Sequence, residues 1–355
     1  MKHKRRISKR KLKKAAFVGA VLILMLVMVY SGFRIVESTV LRNATDDDQK
    51  FETKTIVRDG VEYFPRQDVT TFLLMGIDRE GKVKESGSYQ NPGAADVVVL
   101  AVFDERNETY SILYLNRDTM LEMPVLGIGG KQAGTFYGQL ALAHTYGSGL
   151  KDSCENVRTA VSNLLYGVRL DYYVAMNMDV VTILNDGVGG VSVNVTEDFS
   201  KVDPTIEMGE MTLMGQQAIN YVRTRKDVGD QLNLSRMERQ QDYIEGFLTA
   251  LKEKQQKKEN FFLSVYDDVE DYIVSDCPAS IIGGLVERYS DYELTRVVCP
   301  KGENVKGEKY MEFYVDGEDL DGIILDMFYG PKEDTKDTDG ETPILWKLML
   351  KVRGQ

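Results

Sequence analysis

Val97-Val98-Val99-Leu100-Ala101-Val102-Phe103 is followed by Asp104-Glu105-Arg106-Asn107-Glu108 and then by Tyr110-Ser111-Ile112-Leu113-Tyr114-Leu115. Two short runs of β-branched and aromatic residues flank a charged turn, which reads as a β-hairpin. Upstream, Thr70–Gly76 (TTFLLMG) is a third apolar run and ends in Gly76-Ile77-Asp78. A strand this apolar along its whole length is buried on both faces. Together these runs predict the centre of a covered sheet.

Outward from that centre, strands and helices interleave. Helical spacing is expected at Leu140–Tyr146 and at Glu155–Tyr166, with Asp152 or Ser153 as the cap of the second. Tyr172–Met176 reads as a strand, Asp179–Asp186 as a helix closed by Gly187, and Val191–Val195 as a strand. Leu213–Tyr221 and Arg236–Lys252 read as helices, and further signals fall at Ile281–Arg288, Thr295–Cys299 and Leu320–Tyr329. No repeat is present. The expectation is one layered α/β domain over residues 66–330, followed by a charged linker and a short apolar tail at 331–355.

The N-terminus indicates a location. Residues 2–14 hold nine Lys/Arg and no acid, and residues 15–33 then carry no charge. Nineteen uncharged residues at helical rise can cross a bilayer. With no small-residue cleavage site after them, they predict an uncleaved signal anchor, with residues 1–14 cytoplasmic. Residues 34–65 read as an extracellular stalk and the rest as an extracellular domain. The whole chain carries a formal charge of -11; removing the basic tail leaves 35 of the 44 basic residues against all 55 acidic ones, about -20. So acidic a surface excludes nucleic acid as a partner.

Composition narrows the chemistry. Three cysteines (Cys154, Cys277, Cys299) are too few for a disulfide scaffold or a zinc cluster. Cys277 and Cys299 could close a loop, or all three could remain thiols. Only His3 and His144 exist, so multi-histidine metal sites are excluded. His144, in an apolar segment, reads as a core or supporting residue. Gly127-Ile128-Gly129-Gly130-Lys131 lacks the spacing of a phosphate loop.

What remains is a cluster of cations on an acidic protein. Tyr221-Val222-Arg223-Thr224-Arg225 and Arg236-Met237-Glu238-Arg239-Gln240 hold four arginines in seventeen residues. Guanidinium groups bind phosphate and carboxylate bidentately, and a helix would place Arg236, Arg239 and Gln240 on one face. A multiply charged anion, or pairing with local acids, would each account for them. Carboxylates stand at strand ends: Asp78 after the first run, Asp96 before the second, and Arg117-Asp118 after the third. If the first two strands are neighbours, Asp78 and Asp96 meet, and such a pair shares a proton or a divalent cation.

These segments, in this order, resemble the LytR-CpsA-Psr (LCP) proteins of bacterial envelopes. The residues carrying the resemblance are Leu73-Leu74-Met75-Gly76-Ile77-Asp78, Asp96-Val97-Val98-Val99-Leu100, Arg117-Asp118-Thr119, Ala143-His144-Thr145-Tyr146-Gly147, the run from Leu213 to Arg225, and Arg236 with Arg239-Gln240. The resemblance implies a three-layer α/β/α sandwich around a mixed sheet, with an apolar pocket for a polyprenyl chain. It implies magnesium-assisted (or manganese-assisted) phosphotransfer of a glycopolymer, teichoic acid or capsule, from a polyprenyl-pyrophosphate carrier onto peptidoglycan. By position, Asp78 and Asp96 would hold the metal, and Arg117, Arg223, Arg225 and Arg236 the pyrophosphate, with Arg239 and Gln240 beside them. Asp118 would orient Arg117. This sequence departs from the family at Ala94, where members often carry Arg, and at Asn116, where Pro is common; its 81–93 segment is also longer, and Lys82 or Lys84 there could replace the missing charge. Hydrolysis of the same pyrophosphate, and non-catalytic lipid binding by an envelope regulator, are the alternatives to transfer.

Overall fold

A computed structural model describes residues 55–331, except 59, 128–130, 225–226, 230–238, 240–241, 244, 248, 252, 255–267, 278–287, 290–291 and 309. The expected anchor and all but the first residue of the 331–355 tail therefore lie outside the described residues, as do most of the expected Ile281–Arg288 helix and part of Arg236–Lys252.

The predicted runs form the centre of a six-stranded mixed sheet, ordered β11-β8-β3-β4-β5-β12. Strand β3 (Val69–Ile77) pairs antiparallel with β4 (Ala95–Asp104), and β4 with β5 (Thr109–Leu115). β8 (Tyr172–Asn177) lies parallel to β3, and β12 (Glu293–Val298) parallel to β5. β11 (Ile273–Ser275) closes the far edge against β8.

Alternation along the strands divides the sheet into two faces. Leu73, Met75, Val98 and Leu100 point to a core built with helix α1 (Lys151–Leu164) and helix α4 (Gly317–Phe328). Each such side chain, wholly removed from water, contributes about 1.5–3 kcal/mol. Phe72, Leu74, Val99, Ala101 and Phe103 form the opposite apolar face, with Tyr289 and Cys277 packed on it. A third core joins helix α2 (Asp179–Val188), the hairpin β9 (Val191–Val195) and β10 (Gly209–Leu213), and helix α3 (Gln216–Arg223), with Tyr243, Phe247 and Leu251.

Several expectations are revised. The segment read as the end of a stalk forms β1 (Ile56–Arg58) and β2 (Val61–Pro65), and β2 pairs with β15 (Tyr329–Pro331), so the domain starts before residue 66. Leu140–Thr145 is a 3-10 turn. Helix α3 starts at Gln216 because Gly209–Leu213 is strand and Gly215, at φ +52°, turns the chain. Helix α1 starts at Lys151 with no side-chain cap; Asp152 instead accepts from the backbone N–H and hydroxyl of Ser148. Two hairpins were not foreseen: β6 (Met120–Leu126) with β7 (Gln132–Gln139), and β13 (Gly302–Lys306) with β14 (Met311–Val315).

Candidate active site

At one end of the central sheet the antiparallel pairing of β3 and β4 brings the two aspartate segments together. The Asp78 backbone N–H donates to the Ala94 carbonyl at 2.9 Å. In the register Gly76 faces Val97 but Ile77 faces Ala95, so Asp96 is an extra residue, a β-bulge. Ala95 and Val98 both remain in the α1-side core, three positions apart where strict alternation would bury Asp96 instead. The bulge thus turns the Asp96 carboxylate out of the core.

Each carboxylate meets an arginine. Arg223, in the last turn of α3, places Nη2 2.6 Å from Asp78 Oδ1, and its Nη1 lies 3.8 Å from Glu80. Arg117, just past β5, pairs with Asp96, and its Nε lies 3.5 Å from Asp118 Oδ1. All four side chains remain part-exposed, from 27% for Arg117 to 48% for Arg223, so the pairs can be reached by a ligand. Asp118 is held from behind by Gln139, whose Nε2 donates to Asp118 Oδ1 at 2.7 Å and to the Met311 carbonyl at 2.8 Å.

The support behind this cluster is more extensive than the sequence indicated. His144 is buried and its Nδ1 lies 2.7 Å from the Gly93 carbonyl, which requires the proton on Nδ1. Burial lowers its pKa, and the hydrogen bond to Gly93 opposes that shift. Asn91, also buried, donates through Nδ2 to the carbonyls of His144 and Gly147. Together they pin the long 81–93 segment beside Ala94. Lys82, a candidate to replace the missing Ala94 charge, pairs with Asp271.

Arg239 takes a different part from the one expected. Its side chain is only 4% exposed. Nε donates to the Tyr221 carbonyl at 3.0 Å, the other nitrogens engage the Thr224 carbonyl and Glu197, and the guanidinium lies 5.4 Å from the Phe199 ring centre. It is spent on the backbone on either side of Arg223. Arg225, Arg236 and Gln240 lie outside the described residues.

Cys154 and Cys277 are buried thiols and Cys299 is an exposed one; no disulfide forms between Cys277 and Cys299. Burial pushes the Cys277 thiol up to about 12, which removes it as a nucleophile at neutral pH. Among the described residues no cluster of three or more His, Cys, Asp or Glu side chains could cage a metal. Asp78 and Asp96 offer instead the one or two carboxylates that a hard cation such as Mg²⁺ accepts, its other positions being open to water and phosphate oxygens. A cavity of about 970 Å³ between β9–β10 and Asp242, Glu245, Gly246 and Glu253 shares no residue with this cluster.

Known proteins share this arrangement of elements. A Bacillus subtilis (strain 168) polyisoprenyl-teichoic acid–peptidoglycan teichoic acid transferase, TagT, is 29% identical over 281 residues, covering 75% of this chain and 78% of that protein. The Enterococcus faecalis TagU transferase of the same description is 27% identical, covering 68% and 72%. Among solved structures, B. subtilis TagV superposes with a TM-score of 0.52 at 21% identity, over 74% of this chain and 96% of that one. A Streptococcus agalactiae protein does so at 0.58 and 20%, over 79% and 95%. These likenesses in structure speak to the fold. The LytR_cpsA_psr family model matches residues 29–323, and the chain belongs to that family.

Proposed function

We infer that this protein transfers a phosphate-linked glycopolymer from a polyprenyl-pyrophosphate carrier to a hydroxyl of peptidoglycan. The observation that carries this reading is the double pairing Asp78–Arg223 and Asp96–Arg117 at one end of the sheet, at the border of the apolar face of Phe72, Leu74 and Val99. A pyrophosphate offers each arginine a new bidentate partner, and the carboxylates so released are open to a divalent cation. The apolar face suits the polyprenyl chain, and a second helical layer over it, completing an α/β/α sandwich, is part of the same reading.

In the reaction the acceptor oxygen bonds to the polymer-side phosphorus. The bond from that phosphorus to the bridging oxygen breaks, polyprenyl phosphate leaves, and the hydroxyl proton passes to solvent. Arg117 and Arg223 bind the non-bridging oxygens where charge concentrates; one positioned donor of this kind is worth about 10²–10³ in rate. Asp118, fixed by Gln139, keeps Arg117 aimed. Arg225, Arg236 and Gln240 are assigned to the same anion by their place in the motif. Mg²⁺ or Mn²⁺ held by Asp78 and Asp96 would neutralise phosphate charge.

Residues 15–33 are taken as the membrane anchor, placing the domain outside the cell. Protease added to intact cells should then remove the domain; a protected domain would refute that topology. For the chemistry, the full chain in detergent is given a polyprenyl-pyrophosphate-linked sugar, peptidoglycan fragments and Mg²⁺, and mass spectrometry follows the sugar phosphate. Sugar phosphate on the fragments supports transfer. Release to water alone would make the protein a hydrolase, and intact bound donor would make it a binding module.

A further inference from the structure

The two hairpins that sequence reasoning missed meet beside Asp118. Phe313 donates its backbone N–H to the Asp118 carbonyl at 2.9 Å, Thr119 bridges to Phe313, and Gln139 joins Asp118 to the Met311 carbonyl. From that junction a belt of large side chains runs over the surface. Tyr137 is 56% exposed, Tyr310 and Met311 45% each, Tyr314 41% and Phe136 36%. Phe136 lies 5.3 Å from the ring of Tyr146. The Tyr314 hydroxyl donates to Glu312 at 2.8 Å, and that bond raises its pKa, with a smaller push from nearby Tyr137.

The exposed Tyr137 and Tyr314, one on each hairpin and close enough to interact, mark a binding surface, and three observations identify what it fits. The belt is continuous with the reaction site through Asp118, the neighbour of Arg117. It lies on the side of the sheet away from the Phe72–Val99 face, because Leu121 and Met123 of β6 join the α1-side core; a ligand there approaches the phosphorus from the side the lipid leaves open. Its charge is negative where the rings are: Glu122 pairs with Tyr137 across β6–β7, and Glu303 with Tyr314 across β13–β14. Those acids repel a polyphosphate chain and an anionic bilayer. Rings with hydroxyl tips suit the flat C–H faces and hydroxyls of sugar rings.

We propose that the belt, through Tyr137 and Tyr314 on the two hairpins, is the acceptor subsite, holding the glycan chain whose hydroxyl attacks the phosphorus bound at Arg117. The assignment rests on the transfer reading above and names where its acceptor sits. The test uses the full chain in detergent, with soluble peptidoglycan glycan fragments as one probe and polyprenyl pyrophosphate as the other, by titration calorimetry. The Tyr137→Ala/Tyr314→Ala double variant, altered only at exposed positions, should bind glycan about tenfold more weakly and polyprenyl pyrophosphate unchanged. Tyr137→Phe/Tyr314→Phe, which keeps the rings, should retain most of the glycan affinity. Equal glycan affinity in wild type and the Ala variant overturns the proposal, as does loss of affinity for both probes together. Binding to anionic vesicles with none to glycan overturns it too. Glycan binding that depends on the belt without any transfer would refute the transferase and leave the subsite standing. Transfer with an acceptor KM untouched by the Ala variant would do the reverse.

Discussion

Arg223 and Asp78 stand 145 residues apart in the chain and meet at 2.6 Å, the last turn of α3 closing on the end of β3. The contact joins the α2–β9–β10–α3 subdomain to the central sheet, at side chains exposed by 40% and 48%. An ion pair that accessible adds little to stability, about 0–1 kcal/mol, so its value lies in what it presents to a ligand.

Arg223→Ala and Asp78→Ala should therefore separate activity from folding. Transfer should fall about 10²–10³-fold for Arg223→Ala, while the urea midpoint hardly moves. Wild-type transfer rates in both variants would remove these residues from the site.

The buried pair behaves in the opposite way. Removing one member of the Arg239–Glu197 pair leaves the other charge without its partner in the interior, which costs about 3–5 kcal/mol. Glu197→Ala should lower the urea midpoint sharply, and Arg239→Ala should do likewise while also freeing the Tyr221 and Thr224 carbonyls. A midpoint unchanged in both variants would show that Arg239 is available to ligand after all.

His144 gives the acid limb of stability. Burial depresses its folded pKa below the ordinary 6.5, so the unfolded chain takes up the proton first. The stabilisation is present above 6.5 and is lost as pH falls through that value toward the folded pKa. Glu155 and Asp276, raised by burial, act with the opposite sign: acidification through their folded values stabilises. His144→Gln should flatten the loss between pH 6.5 and the lower carboxylate range in thermal melts; an unchanged pH profile would contradict this account.

Backbone packing offers a fourth check. A Cβ at Gly93 would lie 2.7 Å from Arg79 Cγ and 2.9 Å from Ile77 Cγ2. Gly93→Ala should push the Ile77–Arg79 segment aside, reducing transfer more than it reduces stability. Removal of divalent cations with EDTA should abolish transfer, and Mg²⁺ should restore it.

The centre of the sheet could be read from the sequence because Leu73 to Met75 and Val98 to Val102 are buried on both faces and leave no polar position to confuse the pattern. Asp78, Asp96 and Arg117 were legible as charges at strand ends. The bulge was not, since one extra residue in a run of valines leaves no mark in composition. Gln132-Ala133-Gly134-Thr135-Phe136-Tyr137 gave no strand signal because all six are exposed, so neither face required an apolar alternation. Arg239 was placed with the anion ligands because a guanidinium aimed at carbonyls and one aimed at phosphate look identical in sequence. Its partner Glu197 lies 42 residues away, beyond any local pattern.

Strand β2 sits between β1 and β15, so the polypeptide enters the domain and leaves it through the same small sheet. Tension on the chain N-terminal to residue 55 is thus borne first by the ladders of Val61–Pro65, far in sequence from Asp78 and Arg223. Under the anchor proposed for residues 15–33, a pull from the N-terminal side would reach this small sheet before the central one that carries Asp78 and Asp96.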